Sequence, residues 1–378
     1  MKKFKAVLPQ GCGPADVFLP PLADTFQQST SRKFFYDGSD QDDGGSRALL
    51  QPQNTTDHTF AHRSRITSTN VEQGKVAILM ATYQGQYYLA EQFDSFACQT
   101  YQNWKVWVSD DGSSDDTHAI LEHYEKHWSL ERLSTHNGPK VGFAANFLSL
   151  TYKASISADY YAYADQDDIW DADKLERAVL KLQTVPSDIP ALYCSRTRVV
   201  DKYNREIGLS PLFKKSPSFA NALMQNIGGG NTMVFNNAAR ELLRDAGESI
   251  PVVTHDWWAY MLVTGCGGQV FYDASPTLRY RQHENNKVGI NSSWPARIIR
   301  IRMLWQGRFK QWNDSNIEAL KSMQHRLTPA NSSTLEQFSA ARQMSLPARL
   351  FHLKRSGIYR QTLLGNLGLI AAAVFRKL

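Results

Sequence analysis

The sequence predicts an α/β fold built on a mainly parallel, doubly wound sheet. Strand-length apolar runs alternate with helix-like patterns from residue 75 to residue 263, and acidic or polar clusters follow several of the strands. Such alternation is typical of parallel sheets that carry helices on both faces. The chain has 378 residues and shows no fixed-period repeat, so neither a solenoid nor a propeller is expected.

The first predicted strand covers residues 76–81, a continuous apolar run short enough for a strand that is buried on both faces. Apolar residues then recur at helical spacing over residues 89–97, which predicts a helix. Apolar positions alternate over residues 104–108 and predict the second strand. Residues 115–117 are typical of a helix start, so a second helix should follow them.

The second half of the pattern continues this alternation. Residues 160–164 form the predicted strand that leads into an acidic cluster, and residues 171–182 a helix with acidic residues in its first turn. Ser216-Pro217 is expected to open a short helix, with proline at the first helical position. The remaining predicted elements are strands at 191–194 and 232–235 and helices at 237–245 and 257–263.

Composition divides the chain into three predicted regions. Residues 1–73 are rich in Gln, Ser, Thr, Asp and Gly without sustained periodicity, and we expect a disordered extension. Residues 74–290 form the predicted α/β domain. Residues 291–378 carry 14 Lys and Arg against three acidic residues, and we expect a basic, amphipathic, helical tail. Because the whole chain has a net charge of +6, the part that precedes this tail is slightly acidic.

The basic tail favours a membrane surface over nucleic acid as its partner. Residues 297–305 mix basic and bulky apolar groups, and the apolar run 363–375 is followed by Arg376-Lys377. That run is too short to span a bilayer, so an in-plane helix is expected, with packing on the core as the alternative. We therefore expect a cytoplasmic protein that is peripheral on the inner face of the cell membrane.

Cysteine usage and the start of the chain support this compartment. The four cysteines, Cys12, Cys98, Cys194 and Cys266, are widely scattered. That spacing argues against a disulfide framework and against a zinc site, and it fits a reducing compartment. The N-terminus is basic but lacks the long apolar stretch of a signal peptide. The sequence contains no run of about 18 apolar residues, so no membrane-spanning helix is expected.

The acidic cluster Asp165-Gln166-Asp167-Asp168 follows an apolar, aromatic strand. Alternate side chains of an extended segment share a face, so Asp165 and Asp167 can point to one place, where a cation would relieve their repulsion. The alternative is an exposed turn. The same four residues recur at positions 40–43 without apolar surroundings. The prediction of a metal site at residues 165–168 therefore depends on the strand that precedes them and not on the four residues alone.

Six motifs follow one another along the chain: Ala81-Thr82-Tyr83-Gln84-Gly85, Ser109-Asp110-Asp111-Gly112-Ser113, Asn137-Gly138 with Asn146-Phe147, Asp165-Gln166-Asp167-Asp168-Ile169-Trp170, His255-Asp256-Trp257-Trp258 and Tyr280-Arg281-Gln282-His283. In this order they resemble those of inverting glycosyltransferases of family 2, and in particular of bacterial rhamnosyltransferases that assemble surface polysaccharides such as the O-antigen of lipopolysaccharide. The resemblance covers roughly residues 74 to 290. It implies the GT-A nucleotide-sugar fold and a nucleotide-sugar donor.

The resemblance also implies roles for individual residues. Asp167 is the expected first ligand of Mg²⁺ or Mn²⁺, with Asp165 as a second ligand or a ribose contact and His283 joining from a distant loop. Asp256 is the expected general base, because its place matches the family's base and an apolar wall follows it. The alternatives are that His283 lies on a surface loop and that Asp256 only starts a helix.

Donor and acceptor contacts are expected from the same resemblance. The expected nucleotide contacts are Thr82, Tyr83, Asn146, Asp165 and the pair Asp110 and Asp111. One acid of that pair should accept a hydrogen bond from the pyrimidine. The expected acceptor and sugar contacts are Asp168, Trp257, Trp258, Gly230 and Asn231.

The function expected from these residues is inverting transfer of a sugar, most simply L-rhamnose from dTDP-rhamnose, to a lipid-linked oligosaccharide or growing glycan. Three alternatives remain open from the sequence. The same fold could use a UDP-hexose. A glycoside hydrolase could pair Asp165 or Asp167 with Asp256. A non-catalytic protein could bind membrane or nucleic acid through the tail.

Overall fold

A computed structural model describes residues 74–248, 250–283 and 307–378. Its strands are β1 Val76–Thr82, β2 Trp104–Asp110, β3 Leu133–Asn137, β4 Tyr160–Ala164, β5 Ile169–Trp170, β6 Ala191–Ser195, β7 Arg198–Asp201, β8 Glu206–Leu209, β9 Val234–Asn236, β10 Gln269–Asp273 and β11 Leu278–Gln282. Residues 1–73, for which we expect disorder, lie outside the described residues. Residues 297–305 of the basic tail also lie outside them.

The helices alternate with these strands and then continue alone toward the C-terminus. They are α1 Leu89–Ala97, α2 Thr117–Arg132, α3 Phe143–Tyr152, α4 Lys174–Leu182, α5 Phe219–Ala222, α6 Asn237–Ala246, α7 His255–Gly265, α8 Arg308–Ser322, α9 Pro329–Ala341, α10 Leu346–Arg355 and α11 Leu363–Val374. The predicted helical character of the tail is therefore confirmed within residues 307–378.

The strands form one large and one small sheet. The large sheet has seven strands in the order β10-β6-β9-β4-β1-β2-β3. All of its pairings are parallel except those of β9, which runs antiparallel to both β4 and β6. The small sheet has the order β5-β11-β7-β8. The prediction of a mainly parallel α/β fold is confirmed.

Two apolar cores cover the faces of the large sheet, because alternate residues of each strand point to opposite sides. On β1, Ala77 and Leu79 belong to one core, whereas Val76, Ile78 and Met80 belong to the other. Apolar residues of α3, α6 and α7 cover the first face, and those of α1, α2 and α4 cover the second. Helices on both faces give the doubly wound arrangement that the sequence predicts.

Three predicted boundaries are corrected by local hydrogen bonds. The helix expected at residues 171–182 begins at Lys174, since the Asp171 amide donates to the Thr277 carbonyl at 2.9 Å and so continues extended pairing. The helix expected at Ser216-Pro217 begins at Phe219, because Ser218 is its cap. Residues 230–232, partly expected as strand, form a 3₁₀ turn before β9.

The C-terminal helices pack on the core that α3, α6 and α7 share. Leu320 of α8, Phe338 of α9, Leu353 of α10 and Leu369 of α11 are buried members of that core. The core-packing alternative for the last helix thus holds for one of its faces. Among the described residues, none of the helices combines the length and apolar character needed to cross a bilayer.

Candidate active site

The site lies where β4, β1 and β2 end side by side. These three strands are parallel neighbours, so their carboxyl ends meet at one edge of the sheet. Ligands of open α/β sheets bind at this edge. The loops that follow the strands contain the expected nucleotide residues after β1 and β2 and the acidic cluster after β4.

Asp165, Asp167 and Asp168 lie together after β4. Each carboxylate offers an oxygen within 4.8 Å of the others. Burial, followed by repulsion from Asp167 and from Asp256, raises the pKa of Asp165 to about 8. Burial, followed by repulsion from Asp167 and from Asp165, raises the pKa of Asp168 well above its usual range. Carboxylates that repel one another at this separation are suited to a divalent cation, whose charge offsets the repulsion.

The small sheet brings His283 to this cluster. β5 directly follows the acidic residues and pairs antiparallel with β11, and His283 comes just after β11. The Nε2 atom of His283 lies 2.7 Å from Oδ2 of Asp167. The imidazole also packs on the ring of Tyr88, with centroids 5.0 Å apart. The histidine is therefore next to the expected metal ligand and does not lie alone on a surface loop, and it adds a nitrogen to a set of oxygen donors.

Arg281 supports the acidic loop from the same strand, a role that the sequence analysis missed. Its side chain is only 1% exposed, and its Nε donates to the Asp167 carbonyl at 3.1 Å. Its amide donates to Oδ1 of Asp168 at 3.3 Å, and its guanidinium forms an ion pair with Glu91. The signal in the sequence was an arginine within the motif Tyr280-Arg281-Gln282-His283.

Gln166 connects the acidic loop with the loop after β1, and it too was missed. Its Oε1 accepts hydrogen bonds from Thr82 Oγ1 at 2.6 Å and from the Tyr83 amide at 2.8 Å. Its Nε2 donates to the Tyr83 carbonyl at 3.0 Å. One side chain therefore fixes the position of the nucleotide loop relative to the expected metal loop. The two flanking aspartates drew attention away from this residue.

The carboxylate of Asp168 is hydrogen-bonded within the protein. It is fully buried, and its Oδ2 accepts a hydrogen bond from Asn231 Nδ2 at 2.5 Å. The Asn231 carbonyl in turn accepts from Lys174 Nζ at 3.0 Å. Burial lowers the pKa of Lys174 to about 7. The side chains of Asp168 and Asn231 thus bond to each other, and their expected contacts with a sugar stay predictions.

Asp256 lies in the first turn of α7, across the site from the acidic cluster. Its Oδ2 accepts from the Gly230 amide at 3.0 Å, and its Oδ1 accepts from the Trp257 amide at 2.7 Å. These bonds hold the carboxylate in place and leave a lone pair on each oxygen. The backbone amide of Gly230 thus positions Asp256. The contact of Gly230 with the acceptor, which the sequence analysis expects, stays a prediction. Thr254 occupies the cap position of α7 without a side-chain cap hydrogen bond, so Asp256 also supports the first turn of this helix through the Trp257 amide.

The tryptophans after Asp256 belong to the core. Trp258 has no exposed surface, and Trp257 is 7% exposed with its indole nitrogen donating to the Ala222 carbonyl at 2.6 Å. Neither ring therefore presents an open face in this structure, and the expected stacking on a sugar stays a prediction. His255 is also buried, and its ring stacks on Phe147 with centroids 4.0 Å apart. Burial lowers the pKa of His255 to about 4, so the imidazole is neutral.

The two acidic residues after β2 have different surroundings. Asp110 is 2% exposed, and its carboxylate accepts from the Ser113 amide at 2.8 Å and from its hydroxyl at 2.5 Å. Asp111 is partly exposed and accepts from the Lys140 amide at 2.6 Å. Asp110 therefore orders the turn, whereas Asp111, which also accepts from the Gly142 amide at 3.3 Å, is the more exposed of the two acids.

The other expected nucleotide contacts also separate by exposure. Tyr83 is 55% exposed and faces the open edge of the sheet. Thr82 is 2% exposed and is bonded to Gln166. Asn146 is 2% exposed and donates to the Ser109 carbonyl at 2.9 Å, which ties α3 to the end of β2. Asn146 therefore orders this edge of the sheet, while its side-chain oxygen has no hydrogen-bond partner among the described residues, and its expected nucleotide contact stays a prediction.

Residues 77–243 match the model of glycosyl transferase family 2. The match contains the acidic cluster and ends before Asp256 and His283. The chain is 28% identical over 238 residues to the dTDP-rhamnosyl transferase RfbG of Shigella flexneri, which is 60% of this chain and 78% of that protein. It is 35% identical over 105 residues to the UDP-Glc:alpha-D-GlcNAc-diphosphoundecaprenol beta-1,3-glucosyltransferase WfgD of Escherichia coli, which is 28% of this chain and 39% of that protein.

Solved structures with a similar arrangement include residues 1 to 349 of S. aureus TarS in complex with UDP-GlcNAc. The TM-score is 0.46 at 16% sequence identity, and the superposed part is 75% of this chain and 93% of that chain.

Proposed function

Because this chain belongs to glycosyltransferase family 2, whose members have the GT-A fold, we propose that it transfers L-rhamnose from dTDP-rhamnose to a lipid-linked glycan with inversion. One observation carries the proposal: Asp165, Asp167 and His283 converge at the carboxyl edge of the parallel strands, with Asp256 within electrostatic range of Asp165. A diphosphate site and a facing base are the two parts that inverting transfer requires.

The diphosphate arm of the site consists of Asp167, Asp165 and His283. The mutual repulsion of the carboxylates and the mixed oxygen and nitrogen donors fit Mg²⁺ or Mn²⁺. When bound, such an ion supplies Lewis-acid neutralisation of the departing nucleoside diphosphate. Arg281 and Gln166 hold the loop backbone, so the ligand geometry is set before the donor binds.

Asp256 is the proposed base, which would remove the proton from the acceptor hydroxyl as that oxygen attacks the sugar. The Gly230 and Trp257 amides orient its carboxylate, and a free lone pair on either oxygen can take the proton. Asp111 is the proposed hydrogen-bond acceptor for the pyrimidine, because it is partly exposed whereas Asp110 is only 2% exposed.

The donor assignment is supported by the similarity to RfbG, whose name gives it a dTDP-rhamnosyl substrate class. A second candidate is a UDP-hexose donor, which the similarity to WfgD favours over a shorter segment. The proposed place of action is the cytoplasmic face of the cell membrane, where a basic C-terminal region would meet a lipid-linked acceptor.

The test is a transfer assay with purified protein and a panel of nucleotide sugars, in the presence of Mg²⁺ or Mn²⁺ and after chelation. We expect turnover or hydrolysis of dTDP-rhamnose that requires a divalent cation. Use of a UDP-hexose in its place would select the second candidate. Glycoside hydrolysis without nucleotide or metal would contradict both.

A further inference from the structure

The two last helices expose an apolar surface. α11 buries Leu369, Ala372 and Ala373 against the core, but its other face is open. The open residues of α11 are Leu363, Leu364, Leu367 and Ile370, which are 54% to 79% exposed. α10 adds Leu346, Leu350 and Phe351 to the exposed apolar residues of this region. We call these seven residues the apolar surface. Large exposed apolar side chains that cluster on neighbouring helices indicate a contact with a partner or a membrane.

A basic cleft lies between the same helices and their neighbours. It encloses about 120 Å³ and is lined by Lys310, Arg342, Gln343, Arg349, Arg376 and Leu378. Arg349 belongs to α10, and Arg376 follows the end of α11. A single water needs only about 10–15 Å³ of such space, so the cleft has room for a larger polar group.

The charges of the cleft are only partly balanced. Asp314 accepts from Lys310 at 2.9 Å and from Arg342 at 2.5 Å. In contrast, Arg349 and Arg376 form no ion pair within the described parts of the chain. Arg342 also donates to an oxygen of the terminal residue Leu378 at 2.9 Å. The four cationic side chains therefore face two acidic groups, and both of these are bonded to Arg342.

Arg349 is the most unusual member of the cleft, because its guanidinium is 1% exposed. It donates to the Ala373 carbonyl at 2.7 Å and to the Met344 carbonyl at 2.6 Å, while its Nε has no hydrogen-bond partner in the part of the chain that the structure describes. Burial, followed by repulsion from Arg376, lowers its pKa. An enclosed cation without a counter-charge is costly, and a bound anion would remove that cost.

We propose that this cleft receives the phosphate group of an anionic lipid headgroup while the apolar surface enters the adjoining bilayer. Arginine is suited to phosphate because its planar donors match two oxygens at once. A lipid is favoured over a soluble phosphate because the helices that supply Arg349 and Arg376 also expose the apolar side chains, and this pairing of features is typical of in-plane membrane helices. The inference rests on the proposed function only in placing the acceptor at a membrane.

The experiment measures binding of the full-length protein to vesicles of phosphatidylglycerol and phosphatidylcholine, and to vesicles of phosphatidylcholine alone. The test variant is Arg376→Gln, whose side chain is exposed and has no role in the core. The matched control is Arg355→Gln, which removes the same charge from an exposed position at the end of α10 but outside the cleft. Ile370→Ser tests the apolar surface.

We expect wild-type protein to prefer the anionic vesicles and Arg376→Gln to weaken that binding by about tenfold or more, as loss of a charge-assisted hydrogen bond does. Arg355→Gln should weaken it by about fivefold at most, the effect of one diffuse surface charge. Ile370→Ser should weaken binding to both kinds of vesicle.

Equal losses for the two arginine variants, or equal affinity for both vesicle types, would overturn the proposal. Binding of inorganic phosphate that depends on Arg376 without any vesicle binding would also overturn it, since the occupant would then be soluble. Donor binding is measured in the same samples and should be unchanged in Arg376→Gln. A failure of donor binding in wild-type protein would count against the proposed function and leave the vesicle result standing.

Discussion

Gln166→Ala tests whether the loops after β1 and β4 act as one unit. The amide of Gln166 makes three hydrogen bonds to Thr82 and Tyr83, at 2.6, 2.8 and 3.0 Å. In the proposed function these loops bind opposite ends of the donor, the base and the diphosphate. Removing the amide should let the two loops move independently. Donor binding would then have to order both loops, and the affinity for the donor would fall.

The expected size follows from these contacts. A net intramolecular hydrogen bond stabilises by about 1 kcal/mol, so three give an upper figure of about 3 kcal/mol. Tyr83 is 55% exposed, and water replaces part of what its two bonds supply. We therefore expect Gln166→Ala to weaken donor binding by about 2 kcal/mol, which corresponds to a roughly thirtyfold higher donor Kd.

The assay is calorimetric titration of dTDP-rhamnose in the presence of Mg²⁺, with urea unfolding as a check on stability. Gln324→Ala is the matched control, because Gln324 is an exposed glutamine that makes two side-chain hydrogen bonds outside the site. We expect the control to keep wild-type affinity. An unchanged donor Kd in Gln166→Ala would refute the idea that this side chain couples the two loops.

Three further predictions concern other parts of the chain. Asp167→Ala should abolish the dependence of donor binding on Mg²⁺, measured by titration with and without chelator, while the exposed Asp173→Ala should not; retained metal dependence would exclude Asp167 as a ligand. The folded pKa of His255 is about 4, below the usual value of about 6.5. The unfolded chain therefore binds this proton first, and stability falls by up to about 3 kcal/mol as pH drops from 6.5 to 4. His255→Phe should reduce that loss in urea unfolding at the two pH values, and an identical loss would contradict the burial argument. Deleting residues 1–70 should leave transfer activity intact, because we expect a disordered extension there, and an unfolded or inactive truncation would contradict it.

The sequence predicted the alternation of strands and helices because period and length are local properties. Residues 76–81 and 160–164 are apolar runs that fit only strands of a covered sheet, and both were placed to within a residue or two. The helix start at Lys174 was misplaced because it depends on a hydrogen bond from Asp171 to Thr277, about a hundred residues away. Such tertiary pairing leaves no local signal.

The residues of the site also divide into those that the sequence predicted and those whose role depends on tertiary packing. The resemblance to the family predicted that His283 joins the acidic cluster, and its imidazole lies 2.7 Å from Asp167, while its role as a metal ligand stays a prediction. The burial of Trp258 and Asp168 could not be predicted from their neighbours in the sequence. An aromatic or acidic side chain beside a predicted catalytic residue can face the ligand or the core, and only the packing of α7 and β11 decides which. Arg281 and Gln166 were missed because they act through backbone atoms of residues that the motifs had already singled out.

The most direct test of the proposed mechanism is to measure dTDP-rhamnose binding and sugar transfer in parallel for Asp256→Asn. The substitution keeps the shape of the side chain and removes the group that would accept the proton. We predict that transfer falls by a factor of about 10² to 10⁴, the usual contribution of a general base, while metal-dependent donor binding stays at the wild-type level. Transfer at the wild-type rate, or loss of donor binding along with transfer, would contradict the assignment of Asp256 as the base.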